Sequence, residues 1–285
     1  MSSQITEPVR NKIIIKIRSS ACSVEDAGFP LLDEQTAISI GKALQVSLKQ
    51  VYTEALKLEI SPKRYFKNQH SISFKEQIAL SEATIAVAGA GGLGGHVVHL
   101  LARVGIGTLY IFDHDIFDES NLNRQLFSTT ENIGQFKAEA AKQIVNSINP
   151  AVDVFAFPEK ISAGAERLND VDIIVDALDN AADRLSLGEL AASTGIPLVH
   201  GSIAGFEGRI VTQYPGDNAL HTVFGGPDTG TSAEEILGTP AITPCIIGSL
   251  QAMEVIKIIL KKTGVFDNSM LYLDLQTGVS QQFHF

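Results

Sequence analysis

The sequence predicts an α/β fold: a doubly wound, mainly parallel β-sheet extended by antiparallel strands, with a small N-terminal α/β appendage. Between residues 84 and 200, short apolar segments alternate with amphipathic helical segments, which is typical of parallel strands joined by helices. From residue 209 onward, short alternating segments are joined through turns, and this favours antiparallel pairing. Hydrophobic residues make up 45% of the 285-residue chain, which is enough for a buried core.

The first 60 residues lack this alternation and are assigned to the appendage, whose role the sequence leaves open. Residues 11–18 are rich in isoleucine and predict a strand, because β-branched residues favour extended backbone. Residues 21–30 predict a loop, and residues 33–58 carry apolar side chains at helical spacing and predict one helix. Ser61-Pro62 then breaks the chain, so residues 61–285 are assigned to the main domain.

In the main domain, strands and helices are predicted from apolar periodicity and from the turn residues between apolar segments. Parallel strands are predicted at residues 84–88, 109–112, 152–155, 172–177 and 198–200. Helices are predicted at residues 96–104, 137–148, 181–194 and 248–260. The antiparallel extension is predicted at residues 209–214, 271–274 and 279–283.

Composition narrows the classes of function. The net charge is −10, whereas a protein whose main partner is nucleic acid usually presents a basic field, so nucleic-acid binding is not expected. Cys22 and Cys245 form neither a disulfide framework nor a CxxC zinc pair, which favours a reducing cytoplasm. The polar first residues lack the apolar core of a signal peptide. The sequence contains no uninterrupted apolar run of about 20 residues, so no membrane span is expected.

The segment Gly89–Gly94 fits the pattern GxGxxG, follows a predicted strand and opens a predicted helix. Glycines let the backbone approach a phosphate, and a helix N-terminus presents free N–H groups and a partial positive charge. Asp113 ends the next strand, where a carboxylate can accept hydrogen bonds from ribose hydroxyls. The segment therefore predicts a nucleotide site in a Rossmann-like fold. NAD, FAD and ATP all remain compatible with it, as does a turn that binds nothing.

Charged residues after the strands favour ATP over NAD. Arg124 and Lys137 follow the second strand, and together they could hold a triphosphate and stabilise a pyrophosphate leaving group. Asp179 follows the fourth strand, at the sheet edge where ligands bind, and Mg²⁺ prefers such a carboxylate together with phosphate oxygens. Each residue alone also fits a surface charge, and Asp179 or Asn180 also fits a helix N-cap. Their joint placement favours a binding site.

Six segments in this order resemble the ThiF/MoeB/HesA family, the bacterial relatives of ubiquitin-activating enzymes. They are Gly89–Gly94, Asp113–Asp115, Ser120–Gln125, Gly134–Lys137, Asp176–Asn180 and Gly248–Glu254. The resemblance implies ATP-dependent adenylation of the C-terminal glycine carboxylate of a ubiquitin-like sulfur-carrier protein ending in Gly-Gly, with release of pyrophosphate. It also implies Mg²⁺ as cofactor and a homodimer. The carrier and its pathway, of molybdopterin or thiamine type, stay open.

The resemblance also implies roles for single residues. Nucleotide binding would fall to Gly89, Gly91, Gly92, Leu93, Gly94, Asp113, Asp115, Asn121, Arg124, Gln125, Lys137 and Asn180. Arg124, Lys137 and Asp179 would serve catalysis, with Asp179 as the Mg²⁺ ligand. The carrier carboxylate would attack the α-phosphorus in line, so the protein would contribute positioning and charge rather than a nucleophile.

The segment Arg64–Asn68 resembles the family segment from which an arginine reaches the ATP site of the partner subunit. Lys67 stands where arginine is common, and a lysine keeps the charge but lacks the bidentate fork. Either Lys67 or Arg64 is therefore expected to act in the partner's site.

The sequence departs from the family in its cysteines. The two CxxC pairs that hold structural zinc in many members are absent, so no zinc site is expected. The crossover loop, about residues 225–239, contains no cysteine, so adenylation without a thioester step is expected. Cys245 is interpreted as a small buried hydrophobic residue. The longer loop 215–243 is expected to be mobile and to cover the carrier's C-terminal tail.

Three alternatives stay open. An ATP-dependent dehydratase acting on a modified tRNA base belongs to the same superfamily, but the net charge of −10 disfavours it. A non-catalytic subunit of a heterodimeric activating enzyme is disfavoured by the presence of Arg124, Lys137 and Asp179. An NAD-linked oxidoreductase accounts only for the glycine segment and Asp113.

Overall fold

A computed structural model of the chain describes residues 5–23, 28–225 and 233–285. The helices are α1 Glu7–Ser20, α2 Glu34–Leu44, α3 Leu48–Lys57, α4 Phe74–Glu82, α5 Gly92–Val104, α6 Lys137–Ile148, α7 Ala181–Thr194, α8 Ala219–Phe224, α9 Ala233–Leu237 and α10 Ile242–Ile259. The strands are β1 Cys22–Ser23, β2 Pro30–Leu32, β3 Ser61–Pro62, β4 Thr84–Ala88, β5 Thr108–Phe112, β6 Asp153–Phe157, β7 Ile173–Asp176, β8 Leu198–Ala204, β9 Glu207–Gln213, β10 Ser269–Asp274 and β11 Val279–His284. Short 3₁₀ segments are Lys63–Asn68, Glu119–Asn121 and Ile161–Asp170.

The main sheet confirms the predicted doubly wound architecture. Within the described residues its strand order is β11-β10-β9-β8-β7-β4-β5-β6. Strands β4 to β8 pair in parallel, whereas β8, β9, β10 and β11 pair antiparallel. The chain leaves β4 toward β5 on one side and later returns to β7 on the other. This reversal of direction opens a crevice at the carboxyl ends of β4 and β7, where ligands bind in such sheets.

Helices cover both faces of the parallel part of the sheet. Alternate residues of β4 face the two layers, because successive side chains of a strand point to opposite sides. Ile85 and Val87 pack in the cluster that includes residues of α5, α6 and α10, whereas Ala86 and Ala88 pack in the cluster that includes residues of α7. Burial on both faces explains why β4 reads as a continuous apolar run.

The first 62 residues, as far as they are described, form a unit with its own three-stranded sheet, in the order β1-β2-β3. Its apolar cluster is continuous with the main domain, since Tyr65 and Ala151 belong to it. Lys49 Nζ of the unit lies 3.0 Å from Asp153 Oδ2 of the main domain, and Asn149 Nδ2 holds Tyr65 in place by donating to its hydroxyl over 2.9 Å. The unit is therefore packed onto the main domain.

Two predictions in this unit are wrong. Residues 11–18 lie in α1 rather than in a strand: Ile13 and Ile17, one turn apart, are buried, whereas Ile15 is 67% exposed. Burial at helical spacing outweighs the strand preference of isoleucine. Residues 33–58 form two helices, because Gln45 adopts a left-handed conformation with φ 55° and Ser47 starts α3 with a capping box. The predicted loop 21–30 contains β1, and its residues 24–27 lie outside the described residues.

Helix α10 begins at Ile242, earlier than the predicted Gly248. It is apolar and long enough to cross a membrane by length and composition alone. Two buried polar residues instead tie it to the main sheet: Gln251 Nε2 donates to the carbonyl of Asp176 over 2.8 Å, and Glu254 Oε2 accepts from Thr212 Oγ1 over 3.1 Å. We therefore interpret α10 as a core helix of the main domain.

Candidate active site

A cavity of about 400 Å³ opens at the carboxyl ends of β4, β5 and β7. Most of the predicted site residues line it: Gly89, Gly91, Gly92, Leu93, Asp113, Asp115, Arg124, Gln125, Lys137, Asp179 and Asn180. The parallel sheet gathers them, because each follows a strand whose carboxyl end lies at this edge.

The remaining predicted residues do not line the cavity of their own chain. Gly94, the last residue of the Gly89–Gly94 segment (the glycine turn), is buried in the first turn of α5. Asn121 is 8% exposed, and its Oδ1 accepts from the backbone N–H of Asp118 over 3.1 Å. Arg64 is bound to Glu34 and donates to the carbonyl of Ile148 over 2.8 Å. The expected role of Arg64 concerns a second subunit, so it stays a prediction.

The glycine turn brings β4 directly against the end of β7. Gly89 has φ +95°, and a Cβ at this position would lie 2.6 Å from the carbonyl oxygen of Ala177, so a side chain would push the strand ends apart. Gly91 precedes α5 and supplies no side-chain cap. Within the described residues, the first N–H groups of α5 receive no side-chain cap, so the start of the helix can bind a phosphate.

Asp113 stands at the end of β5 and is 8% exposed. Its Oδ2 accepts from the backbone N–H of Ala90 over 2.7 Å, and its Oδ1 accepts from the N–H of Asp115 over 2.9 Å. Burial raises the pKa of Asp113, while these two N–H bonds oppose the rise. A carboxylate oxygen accepts more than one hydrogen bond, so Asp113 fixes the glycine turn and still has acceptor sites for ribose hydroxyls.

Lys137, at the start of α6, is 7% exposed. Its Nζ lies 2.8 Å from Asp115 Oδ2. Burial on its own would raise the pKa of Asp115, but the hydrogen bond and the charge of Lys137 outweigh it and lower this pKa. An ammonium group has three donors, so Lys137 can keep Asp115 and also bind a phosphate oxygen.

Arg124 and Gln125 face the glycine turn from the opposite wall. Arg124 Nη1 donates to the carbonyl of Ser120 over 3.0 Å and to Asn123 Oδ1 over 2.8 Å, which leaves guanidinium donors for a ligand. Gln125 Nε2 would lie 3.5 Å from a Cβ on Gly91. Gln125 Oε1 is buried and has no hydrogen-bond partner among the described residues. An unpaired buried amide oxygen is costly, so this position fits a polar ligand group beside the phosphate turn.

Asn180, not Asp179, is the N-cap of α7. Its Oδ1 accepts from the backbone N–H of Asp183 over 2.8 Å. Asp179 is left exposed on the cavity wall, with its Oδ1 3.5 Å from Asn180 Nδ2. A carboxylate that caps no helix and shares a cavity with a phosphate-binding turn fits a Mg²⁺ ligand.

Comparison with known proteins gives the family. The sequence model of the ThiF family matches residues 65–284. The chain belongs to the ThiF family. The SAMP-activating enzyme E1 of Haloferax volcanii is 34% identical over 203 residues, covering 68% of this chain and 74% of that one. The sulfur carrier protein adenylyltransferase of Thermus thermophilus is 34% identical over 198 residues, covering 65% and 72%. The UBA4 adenylyltransferase and sulfurtransferase of Meyerozyma guilliermondii is matched over only 50% of its own length.

A solved structure extends the comparison to the whole chain. The structure of E. coli MccB with AMPCPP and MccA covers 99% of this chain and 89% of its own, with a TM-score of 0.67 and 19% identity. This ThiF-family chain therefore shares its fold with the MccB structure over almost its full length. The ThiF sequence model, in contrast, begins at Tyr65 and leaves the N-terminal unit outside.

Apolar side chains also line the cavity of this ThiF-family chain. Phe112, Ile161, Leu187 and Leu190 line it, and such a surface suits a planar nucleobase. No local pattern relates these apolar residues, because they come from β5, a 3₁₀ segment and α7.

Sequence reasoning also missed two ion pairs that include residues lining the cavity, namely Lys160, Asp183 and Glu234. Lys160 Nζ lies 3.0 Å from Asp183 Oδ2, and Arg184 Nη2 lies 2.8 Å from Glu234 Oε1. The partners are far apart in sequence, so no local pattern relates them. Arg184 follows Asn180 by about one helical turn, and this regular spacing was the available hint that the two residues lie on the same side of α7.

The interpretation of Cys245 as buried is wrong. Its side chain is exposed because it lies in the first turn of α10, on the face away from buried Thr243 and Ile247. The predicted loop 215–243 contains the short helices α8 and α9, and its residues 226–232 lie outside the described residues. The expectation of adenylation without a thioester step stays a prediction.

Proposed function

We propose that this ThiF-family protein is an adenylyltransferase that uses Mg-ATP to activate the C-terminal carboxylate of a ubiquitin-like sulfur-carrier protein ending in Gly-Gly. The observation that carries the proposal is the single cavity that gathers the glycine turn, Asp113, Arg124, Lys137 and Asp179 at the sheet edge. The names of the relatives, which are adenylyltransferases of sulfur carriers and a SAMP-activating enzyme, support it.

The proposed reaction needs no nucleophile from the protein. A carboxylate oxygen of the carrier bonds to the α-phosphorus, the bond from that phosphorus to the bridging oxygen of the β-phosphate breaks, and pyrophosphate leaves with the electron pair. Asp113 would hold the ribose and the glycine turn would hold the phosphates. Arg124 and Lys137 would stabilise the charge that develops in the transition state. Mg²⁺, held by Asp179, would neutralise phosphate charge.

A carrier-dependent exchange of labelled pyrophosphate into ATP tests the proposal. We expect exchange with one host protein that ends in Gly-Gly and none with the same protein lacking its last glycine, because the carboxylate must reach the α-phosphorus. ATP binding without exchange for any carrier would contradict the proposed substrate and favour another carboxylate or the modified tRNA base. Failure to bind ATP would favour a non-catalytic subunit.

We propose a homodimer as the working unit, with Arg64 or Lys67 acting in the partner's site. Support comes from large apolar side chains left exposed near the nucleotide site. Five of them fall between residues 116 and 136: Ile116 at 51%, Leu122 at 37%, Leu126 at 41%, Ile133 at 41% and Phe136 at 45%. Exposed apolar surface of this kind is typical of interfaces.

Ile133→Glu is expected to weaken the dimer, because it would bury a charge in the proposed interface. Light scattering should show a shift toward monomer at concentrations where the wild type is dimeric. Ile15→Glu, on the exposed face of α1, is the matched control and should leave the mass unchanged. A monomeric wild type would contradict the proposal.

We also propose that residues 1–60 and 61–285 form separate domains and that the protein is cytoplasmic.

The N-terminal unit favours a second candidate substrate. It lies outside the ThiF sequence model yet is covered by the structure of MccB with AMPCPP and MccA. The alternative is that the unit helps bind a polypeptide other than a sulfur carrier. Hydrogen exchange of residues 5–23 and 28–62 should slow when such a substrate binds, and unchanged exchange there would count against the alternative.

A further inference from the structure

Leu178, the residue before Asp179, has both of its backbone polar groups held by charged side chains. Its N–H donates to Asp176 Oδ1 over 3.0 Å. Its carbonyl accepts from Arg184 twice, over 3.1 Å from Nε and 2.7 Å from Nη2. Because the N–H and the C=O of one residue belong to two successive peptide groups, these bonds fix the backbone on both sides of Leu178. These bonds thereby set the direction in which the side chain of Asp179 leaves the backbone.

A buried pair supports Asp176. Asp176 Oδ2 lies 2.7 Å from His200 Nδ1, and both side chains are 0% exposed. Burial lowers the pKa of His200 more strongly than Asp176 raises it. The lowered pKa favours the neutral imidazole, and a carboxylate oxygen accepts, so Nδ1–H is the donor in this pair. One oxygen of Asp176 is held by His200, and the other is left for Leu178.

Arg184 connects the same backbone to residues 233–239, the part of the crossover loop that the structure describes; this part is called the crossover segment below. Its Nη2 also lies 2.8 Å from Glu234 Oε1, with side chains only 7% and 18% exposed. Glu234 belongs to α9 and lines the cavity. At the other end of this segment, the carbonyl of Thr239 accepts from Asn123 Nδ2 over 3.2 Å. The crossover segment is thus tied to α7 through Arg184 and to the loop that carries Arg124 through Asn123.

We infer that Arg184 is a positioning residue that aims Asp179 into the cavity, and that Glu234 makes this aim depend on the placement of α9. The inference rests on the proposed function, since it assigns Asp179 to the metal. Arg184 can serve because a planar guanidinium donates in two directions at once, to a carbonyl and to a carboxylate. A lysine at this place keeps the charge but cannot reproduce both bonds to Leu178.

The consequence is a link between the metal and the crossover segment. When α9 moves away, Arg184 loses Glu234 and keeps a less constrained hold on Leu178. Asp179 then samples more directions, and metal affinity falls. When α9 lies over the site, Asp179 is held in the direction that suits a metal ligand. Closure of the crossover segment over the substrate would therefore also complete the phosphate-binding site.

The test measures how strongly Mg²⁺ tightens nucleotide binding. Calorimetry with a non-hydrolysable ATP analogue, with and without Mg²⁺, gives this coupling factor without any turnover. Arg184→Lys should lower the factor about tenfold, the low end of the effect of removing a group that orients a metal ligand. Its affinity for the analogue without metal should stay near that of the wild type. Glu234→Gln should lower the factor only about threefold. The substitution removes the charge that strengthens the bond between Arg184 and α9, but it leaves the bonds of Arg184 to Leu178 in place.

Arg103→Lys, on the exposed end of α5, is the matched control and should leave the factor unchanged. An unchanged factor in Arg184→Lys would overturn the inference. Should Arg184→Lys fail to fold, Glu234→Gln decides: an unchanged factor there overturns the link to α9. The outcome is independent of the carrier, so an absence of pyrophosphate exchange with every carrier would contradict the proposed substrate and leave this result standing.

Discussion

Asp179→Asn is expected to lower carrier-dependent pyrophosphate exchange by about 100-fold or more. Asparagine keeps the shape of the side chain but removes the negative charge that would hold Mg²⁺ against the phosphates. Loss of one group that stabilises transition-state charge typically costs this much. Asp179 caps no helix and is exposed on the cavity wall, so the folded state should lose little. The measurement is the exchange rate at saturating ATP, together with the thermal midpoint.

Asp170→Asn is the control, since Asp170 is exposed and does not line the cavity. The binding of an ATP analogue without metal should be nearly equal in Asp179→Asn, in the control and in the wild type. Exchange by Asp179→Asn within a few-fold of the wild type would remove Asp179 from the proposed mechanism.

Gly94→Ala should have the second large effect, on folding and nucleotide binding together. A Cβ at this position would lie 1.8 Å from the carbonyl oxygen of Gly89 and 3.3 Å from the side chain of Ala177. Relief requires the glycine turn to move away from β7, because the opposing atom belongs to the backbone. We expect a loss of about 3 kcal/mol in the free energy of unfolding, at the upper end for overpacking, and nucleotide binding too weak to measure.

Gly95→Ala provides a matched control in the same helical turn. A Cβ there would meet its nearest neighbours, Leu126 and Phe127, at 3.7 Å, which is ordinary contact. Alanine also favours a helix over glycine, so stability should change by less than about 1 kcal/mol. Denaturant unfolding measures both variants. Equal stability of the two would mean that the turn yields more easily than its geometry indicates.

Prediction from sequence succeeded where a local signal and the tertiary fold agreed. The bounds of β4, α6 and α7 match their predictions. Strand β4 is a short apolar run that ends at a glycine turn, whereas α6 and α7 combine apolar residues at helical spacing with clear end signals. It failed at α1, where the isoleucines favour a strand locally but two of them are buried at helical spacing. It also failed at Cys245, because the start of α10 depends on packing rather than on a capping residue.

The candidate site shows the same division. Arg124, Lys137 and Asp179 could be chosen from their positions after strand ends, since all parallel strands end at one edge of a sheet. Which of Asp179 and Asn180 caps α7 was open in the sequence. The structure assigns the cap to Asn180 and leaves Asp179 facing the cavity.

By itself the sequence determined the fold class, the family and the phosphate-binding character of the site. Its glycines, helix starts and strand-end charges are local features whose spacing carries that information. Only the tertiary structure decided how Asp179 is held, since Asp176, His200, Arg184 and Glu234 come from four separate elements. Contacts between side chains distant in the chain depend on how sheet, helices and crossover segment pack. No periodicity in the sequence records that packing.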